Sequence, residues 1–128
     1  MTRPNTRLSI RIDLNGDNLG SEEIALLEAI QSQGSITGAA RSLSRSYRWA
    51  WLSVDHINQV LYSPAVRSAA GGFKGGGATL TPTGALFVKL YRTIEARAQS
   101  AAVAQCNALR RLAHSERMRD AAARGMIE

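Results

Sequence analysis

The 128-residue sequence predicts a single domain, 1–128, that is mainly α-helical with a small β component. Apolar and polar residues alternate strictly over residues 8–14, which predicts a half-buried strand. Several later segments carry apolar residues at helical spacing. Between them lies a run with five glycines in seven residues, 71–77, which cannot form a helix. Because a chain of this length builds one modest core, we expect all of these segments to share it.

Three helices are predicted in succession between the strand and the glycine run. The first covers 21–33 and is capped by Ser21. Ser35 caps a short second helix, and Ser46 caps a third helix that continues to about Tyr62. Serine is favoured at these positions because its side-chain oxygen accepts a hydrogen bond from a free amide of the first turn. The tight connection between the last two helices is typical of a helix-turn-helix unit.

The glycine run is predicted to be the tip of a β-hairpin, because the flanking residues 65–67 and 78–80 can pair as strands. Thr81 then caps a long last helix with Pro82 at its first position, where proline is favoured. We expect this helix to cover 82–114. The residues from 115 to 128 are expected to form a tail.

The last helix carries a seam of apolar and small residues spaced alternately by four and three, which is typical of helix-on-helix packing. At 1.5 Å per residue, a helix of this length is roughly 45 Å long and exceeds the diameter of a small domain. The sequence therefore predicts that the seam forms a homodimer interface. Packing of the whole seam on the domain's own core is the alternative. The predicted interface residues are Phe87, Tyr91, Ile94, Ala98, Ala101, Gln105 and Leu112.

The charge balance favours a polyanionic partner. Sixteen Lys and Arg residues oppose ten Asp and Glu residues, giving a net charge of +6. Segment 41–74 holds five of the cations and a single acid, Asp55, whereas the first 40 residues hold three cations and five acids. Positive charge is thus concentrated around the third helix and the hairpin, as expected for a nucleic-acid-binding surface.

Composition argues against several other classes of protein. The single cysteine, Cys106, cannot form a disulfide within the chain, and the isolated His56 and His114 lack the spacing of metal ligands. No set of nucleophile, base and orienting residue is recognisable, so we expect no enzymatic activity, no metal and no cofactor. The first fifteen residues contain no apolar signal segment, and no apolar stretch approaches the ~20 residues of a membrane span. These patterns predict a cytoplasmic protein.

The order of strand, helices, hairpin and long helix predicts a winged helix-turn-helix, with 7–81 as the DNA-binding core and wing. The helix from Ser46 would enter the major groove, where Arg48 can contact guanine and Tyr47 can donate to a phosphate. Trp49 either packs on the DNA or lies half-buried, and the sequence leaves both open. The candidate DNA-binding residues are Ser35, Thr37, Arg41, Arg45, Ser46, Tyr47, Arg48, Trp49, Ser53 and Lys74.

Two other interpretations of these segments were weighed against DNA binding. A nucleotide phosphate loop requires Gly-Lys followed by Ser or Thr at the start of a helix. Lys74 instead precedes Gly75, and the next helix begins only at Pro82. A protein-interaction or adaptor module with the same fold is the alternative to a transcriptional regulator. The concentration of cations on 41–74 favours the regulator.

The motifs at 34–40, 43–51 and 57–58, together with the glycine-rich segment 71–81 and Gly84, resemble the DNA-binding domain of ModE-type molybdate-responsive regulators. The more distant LysR-type regulators share part of the pattern. The resemblance covers about residues 7–112. It implies a winged helix-turn-helix dimer that binds a palindromic operator as a repressor or activator.

By the same resemblance, Ser46, Tyr47, Arg48 and Lys74 contact DNA, and Ala50, Trp51 and Ile57 occupy core positions. Full-length members of the family carry a second region that binds molybdate or tungstate. The sequence ends at Glu128 and leaves no room for that region, so we do not expect direct sensing of molybdate.

Overall fold

The computed structural model describes residues 6–69, 76–113 and 123–125. The predicted class, mainly helical with a small antiparallel β part, is confirmed. The tip of the predicted hairpin, including Lys74, and most of the predicted tail lie outside the described residues. The chain divides into two units, Ser9–Glu95 and, separately, Met1–Leu8 together with Ala96–Glu128. The elements are β1 Arg11–Leu14, β2 Asp17–Gly20, α1 Ser21–Gln33, α2 Ile36–Ser42, α3 Tyr47–Val60, β3 Val66–Ser68, β4 Ala78–Leu80, α4 Pro82–Ala101 and α5 Val103–Leu112.

The first strand is shorter than predicted and belongs to a hairpin that the sequence interpretation missed. β1 begins only at Arg11 and pairs antiparallel with β2, with Leu14 opposite Asp17. Asn15 and Gly16 form the two-residue turn with φ values of 54° and 95°. Asn-Gly favours this conformation because both residues tolerate positive φ. The turn was expected to end the strand, but it reverses the chain into a second one.

The first three helices begin and end close to the predicted residues, because local capping chemistry sets their ends. Ser35 Oγ accepts from the amide of Gly38 at 2.9 Å, and Ser46 Oγ accepts from the amide of Trp49 at 3.0 Å. Helix α1 has the predicted bounds, but Gly20 rather than Ser21 is its N-cap. There the Gly20 amide donates to Glu23 Oε1 at 2.6 Å. Helix α3 ends at Val60, two residues before the predicted end.

The apolar faces of α1, α2 and α3 form the core of the larger unit with residues from β2, β3 and β4. Ala39, Ala40 and Ala50 are almost completely buried, and their small side chains permit close helix packing. The core position implied for Trp51 is wrong, since 46% of this side chain is exposed. The buried core residues are Leu19, Leu26, Leu27, Ala29, Ile30, Ile36, Ala39, Ala40, Ala50, Val54, Ile57, Ala65, Val66 and Ala78.

Strands β3 and β4 pair as predicted, with Val66 opposite Leu80. The start of α4 is anchored beside them, because Thr81 Oγ1 accepts from the amide of Gly84 at 3.1 Å and donates to the carbonyl of Pro64 at 2.5 Å. The predicted cap at Thr81 is thereby confirmed. Gly84 approaches the backbone of Ala65 so closely that a Cβ atom there would overlap the Ala65 carbonyl.

Helix α4 is attached to α1 by an ion pair. Arg92 Nε and Nη2 donate to Glu28 Oε2 and Oε1 at 3.0 and 2.6 Å, and Nη1 donates to Glu95 at 2.7 Å. The hydrogen bond to Glu28 raises the pKa of the Arg92 guanidinium above its ordinary value. The paired geometry fixes the rotation of α4 against α1, because a bidentate arginine–carboxylate contact is directional.

The long terminal helix is not continuous as predicted. It is divided at Ala102, whose φ and ψ of −106° and 12° depart from helical values, so that α4 ends at Ala101 and α5 begins at Val103. Hydrogen bonds still flank the division, from Ala102 N to Ala98 O and from Cys106 N to Ala102 O. In the part of the chain that the structure describes, no helix is both long and apolar enough to cross a membrane.

Candidate nucleic-acid interface

The first turn of α3 lies on the surface of the larger unit. Ser46, Tyr47 and Arg48 are all exposed, and 51% of the Tyr47 side chain is accessible. The residues that α3 buries, Ala50, Val54 and Ile57, belong to the following turns of the helix. Because the capped start of α3 is held at the surface by its buried face, these polar side chains are free to meet an external partner.

The outer face of α3 continues along residues spaced by three and four from Arg48. Leu52, Asp55 and Gln59 are exposed on it, and Gln59 Nε2 donates to Asp55 Oδ2 at 3.0 Å. A cation, a carboxylate and an amide thus follow one another on one face. These are the side-chain types that read base edges in a major groove.

On one flank of α3, a shallow groove with a volume of about 170 Å³ separates the helix from the β3–β4 pair. We call it the strand-side groove. Tyr47 and Trp51 form its α3 wall. Its remaining lining residues are Ile36, Thr37, Ser68, Ala69, Gly76, Gly77 and Ala78. The exposure of Trp51 therefore belongs to a defined surface feature, which the apolar periodicity of α3 did not reveal.

On the opposite flank, a second groove of about 310 Å³ separates α3 from the β1–β2 hairpin and the start of α1. We call it the hairpin-side groove. Trp49 and Ser53, both predicted to contact DNA, line this groove rather than the strand-side groove. Its other lining residues are Arg11, Asn18, Glu23, Leu52 and His56. The predicted contact residues of α3 are thus divided between its two flanks.

Trp49 adopts the half-buried arrangement that the sequence left open. It packs against the core, and the guanidinium carbon of Arg45 lies 4.0 Å from its ring centroid. Arg45 also forms a salt bridge with Glu22 of α1 at 3.3 Å. Arg45, which was predicted to contact DNA, therefore already contacts a carboxylate and an aromatic ring.

The other predicted contacts on the larger unit are exposed or serve as caps. Arg41 and Thr37 are exposed on α2, and the half-buried Ser35 acts as the N-cap of that helix. Arg67 of β3 is also exposed, although it was not singled out as a contact. Among residues 41–69, the cations Arg41, Arg45, Arg48 and Arg67 are accompanied by the single acid Asp55. This segment of the described chain therefore carries a net positive charge.

Asn58 connects α3 to the β3–β4 pair, a role that sequence reasoning missed. Its Oδ1 accepts from the amides of Ala65 and Val66 at 2.8 and 3.2 Å, and its Nδ2 donates to the Val66 carbonyl at 3.2 Å. From the other side, the amide of Ala78 donates to the carbonyl of Gly34 at 2.9 Å. The only available signal was a polar residue within the apolar periodicity of α3, directly after the buried Ile57.

The predicted dimer seam is partly wrong. Tyr91 is 1% exposed and its hydroxyl donates to the carbonyl of Ile10 at 2.6 Å, while Phe87 is half-buried against the core. Burial raises the pKa of the Tyr91 phenol, since the ionised form loses its hydration. Both residues pack within the larger unit. Residues spaced alternately by four and three lie on one face of a helix, and that face can pack against the core of its own unit as well as against a partner helix.

The apolar face that α4 leaves exposed in the larger unit lies beside that seam. Leu86, Leu90 and Ile94 follow one another at intervals of four residues and are 46–55% exposed. Of these three, only Ile94 belongs to the predicted interface. In the smaller unit, Ala98 is half-buried, whereas the predicted interface residues Ala101, Gln105 and Leu112 are exposed and Cys106 is buried on α5.

The described residues offer the groups of a binding surface rather than those of a metal centre. Among them, no three His, Cys, Asp or Glu side chains gather in a way that could hold a metal ion. The two grooves beside α3 are shallow and lined by both polar and apolar side chains. Such an arrangement can receive an extended partner that crosses α3.

Comparison with known proteins relates the chain to molybdenum-binding regulators. No family model matches it. The molybdenum-pterin-binding protein MopB of Rhodobacter capsulatus is 45% identical over 85 residues, covering 66% of this chain and 32% of MopB. The molybdenum transport protein ModE of Azotobacter vinelandii is 42% identical over 100 residues, covering 78% of this chain and 37% of that protein. The DNA-binding transcriptional dual regulator ModE of Escherichia coli K12 is 40% identical over 68 residues, covering 53% and 26%.

The chain therefore spans between about a quarter and somewhat more than a third of the length of these relatives. Over the shared region it is a homologue of the ModE and Mop proteins, and the resemblance predicted from its motifs is confirmed.

Proposed function

We propose that this region is a sequence-specific, duplex-DNA-binding transcriptional regulator with a winged helix-turn-helix fold. In this proposal α2 and α3 are the helix-turn-helix, α3 is the recognition helix, and the β3–β4 pair is the base of the wing. The observation that carries the proposal is the exposed start of α3, with Tyr47 and Arg48, next to the strand pair that Asn58 binds, within a segment, 41–69, that holds four cations and one acid. The similarity to a protein named as a DNA-binding transcriptional regulator supports it.

The outer face of α3 supplies the groups for base recognition. A major groove about 12 Å wide admits one α-helix, and the exposed start of α3 would meet the base edges. Arg48 can form two parallel hydrogen bonds with guanine O6 and N7. Asp55 lies about two turns further along the same face and can accept from the amino group of cytosine. Arg48 and Asp55 would thus read different base pairs of one half-site.

The flanking cations supply attraction that does not depend on sequence. Arg41 and Arg67 are exposed on α2 and β3, on either side of the recognition helix in chain order. Lys74 of the wing adds a third cation, as the resemblance implies. Cations that neutralise phosphates release condensed counterions, so each contact strengthens binding and makes it more dependent on salt. Arg45 contributes less, since Glu22 already neutralises much of its charge.

A homodimer would explain the apolar stripe of α4. Leu86, Leu90 and Ile94 expose three large side chains in consecutive turns of one helix. A contiguous apolar patch of this kind is typical of an interaction surface. Two copies related by a twofold axis would present two recognition helices about one DNA turn, or a multiple of it, apart. The operator is accordingly proposed to be palindromic.

Selection of bound sequences from a pool of random DNA duplexes tests the function. We expect enrichment of a twofold-symmetric consensus whose half-sites contain at least one guanine that Arg48 reads. Binding of the consensus duplex should weaken steeply between 50 and 200 mM salt, on the order of the 10³-fold loss that several phosphate contacts produce. Enrichment of no sequence, or binding that does not change with salt, would contradict the proposal. A duplex of the same composition in scrambled order serves as the control.

A further inference from the structure

The strand-side groove contains a set of neutral hydrogen-bond donors that base recognition does not use. The residues that line it include Thr37, Tyr47 and Ser68, which carry hydroxyl groups, and Trp51, which carries an indole N–H. Among the described residues that line it, none is acidic, and Asp55, the acid of α3, lies outside it. A concave surface with hydroxyl and N–H donors and without carboxylates suits an anion with several acceptor oxygens.

Packing of the core does not account for the position of Trp51 in this groove. It lies on α3 beside the buried face, yet nearly half of its side chain is accessible. Tyr47, one turn earlier on the same flank, is equally exposed. Both side chains combine a large apolar ring with a polar tip, so they can pack on a sugar while donating to a phosphate.

The position of the groove determines which part of DNA would reach it. In the proposed complex, α3 occupies the major groove of the DNA and the wing follows the adjacent minor groove. The sugar–phosphate strand that separates these two DNA grooves must then cross the gap between α3 and the wing base. That gap is the strand-side groove, bounded by Trp51 on one side and by Ser68, Gly76 and Gly77 on the other. Glycines there allow the strand to approach the backbone closely.

We propose that the strand-side groove binds one phosphodiester and its deoxyribose in each half-site, which rests on the proposed DNA-binding function. Trp51 packs its ring on the sugar and donates its indole N–H to a phosphate oxygen. The hydroxyl groups of Tyr47 and Ser68 donate to the same phosphodiester. Trp51 is thereby a residue that sets the register of α3 along the DNA, whereas Arg48 reads the bases.

The neutrality of these donors distinguishes this contact from those of the basic residues. A neutral donor neutralises no phosphate charge, so its removal lowers affinity without changing the dependence of binding on salt. Removal of the cation Arg67 would instead reduce the salt slope by about one. The pair of variants Trp51→Phe and Arg67→Gln therefore separates the proposed neutral contact of α3 from the proposed ionic contact of the wing base.

Scanning of the selected operator with methylphosphonates, which replace one charged phosphate oxygen at a time by a methyl group, tests the proposal. We expect the wild-type chain to lose affinity at the phosphates that Arg41, Arg67 and Lys74 contact and, in addition, on the order of tenfold at one further phosphate per half-site that the groove binds, the size of effect expected for hydrogen bonds to a charged group. The double variant Tyr47→Phe/Trp51→Phe keeps both rings and removes both donors. It should bind the unmodified operator more weakly and lose less than about threefold at that phosphate.

The control is Gln31→Ala, which changes an exposed residue of α1 that lines neither groove and should leave the wild-type profile unchanged. Thermal unfolding followed by circular dichroism confirms that each variant is folded. If the wild-type chain binds no duplex, the proposed function itself fails. If it binds and the double variant shows the full wild-type penalty at every phosphate, the groove is not a phosphodiester site and the inference is overturned. The inference is also overturned if the loss of affinity that depends on Trp51 occurs when a thymine is replaced by uracil and does not occur when a phosphate is replaced.

Discussion

Asn58 and Val66 are joined by a reciprocal pair of hydrogen bonds, from Asn58 Nδ2 to the Val66 carbonyl and from the Val66 amide to Asn58 Oδ1, each 3.2 Å long. One side chain of the proposed recognition helix thus binds the backbone of the first wing strand in both directions. Because a side-chain amide can imitate a strand backbone in this way, α3 and β3 are held in one orientation. The contact bears on recognition, since it is one of the contacts that hold β3 next to α3 across the strand-side groove.

Asn58→Ala should destabilise the chain. The substitution leaves the amides of Ala65 and Val66 and the carbonyl of Val66 without their partner, in a partly buried position. Loss of partners for buried polar groups costs about 1–3 kcal/mol of unfolding free energy. Urea unfolding monitored by circular dichroism measures the change. Gln59→Ala, which alters the exposed neighbour, should have a much smaller effect, and equal effects of the two substitutions would contradict the assigned role of Asn58.

Gly84→Ala should also destabilise the chain, although alanine is the better helix former by about 1 kcal/mol. The added Cβ atom would overlap the carbonyl of Ala65, which accepts from the amide of Thr81 at 2.9 Å. Relief of this overlap requires a shift of α4 away from the strand pair. A differential-scanning measurement of the midpoint of thermal unfolding checks the sign, with Ala85→Gly as a test of propensity alone. A higher midpoint for Gly84→Ala would show that this close approach does not limit the packing of α4.

Features that depend on residues close together in the sequence could be predicted more accurately than features that depend on residues far apart in the sequence. Caps at Ser35, Ser46 and Thr81 were predictable, because a cap depends on a side chain and an amide three residues away. The pairing of strands on either side of the glycine run was predictable because that run leaves the chain few other connections, although the first strand covers 66–68 rather than 65–67.

Two features of the site could not be derived in that way. Apolar periodicity indicates that a residue lies near the buried face, but it does not indicate which neighbour covers it. The resemblance implies a core position for Trp51, whereas the groove next to it leaves 46% of its side chain exposed. A four-and-three spacing likewise fits both a partner helix and the local core, and Tyr91 packs in the local core.

Arg48→Ala should weaken binding to the selected operator and relax base preference at one position of each half-site. Two hydrogen bonds to one guanine are lost, whereas the contacts to the backbone stay in place. Arg48→Lys retains the positive charge but not the bidentate geometry, so it should keep the salt slope and still lose base preference. A second selection experiment with each variant provides the measurement. Unchanged preference in both variants would assign base reading to another residue.

Lys74→Ala should weaken binding to all sequences by a similar factor and lower the salt slope by about one. The expected cause is loss of one phosphate contact by the wing, which carries no sequence information. Fluorescence anisotropy titrations on the selected and the scrambled duplex, at several salt concentrations, measure both quantities. Lys89→Ala removes an exposed cation of α4, away from the proposed interface, and controls for the change in net charge. Identical salt slopes for the wild-type chain and the Lys74 variant would mean that the wing makes no ionic contact with DNA.

Ile94→Asp should dissociate the proposed homodimer. The substitution places a carboxylate in the exposed stripe formed with Leu86 and Leu90, where burial in an interface would leave the charge without a partner. Sedimentation equilibrium at micromolar concentration should give the dimer mass for the wild-type chain and the monomer mass for the variant. Lys89→Asp introduces the same side chain on a different face of α4 and should leave the dimer intact. Because a monomer holds only one half-site, the variant should also bind a single half-site with unchanged affinity and lose its advantage on the full palindrome. A dimer that persists in the variant would exclude this stripe as the interface and would direct attention to the exposed residues of α5.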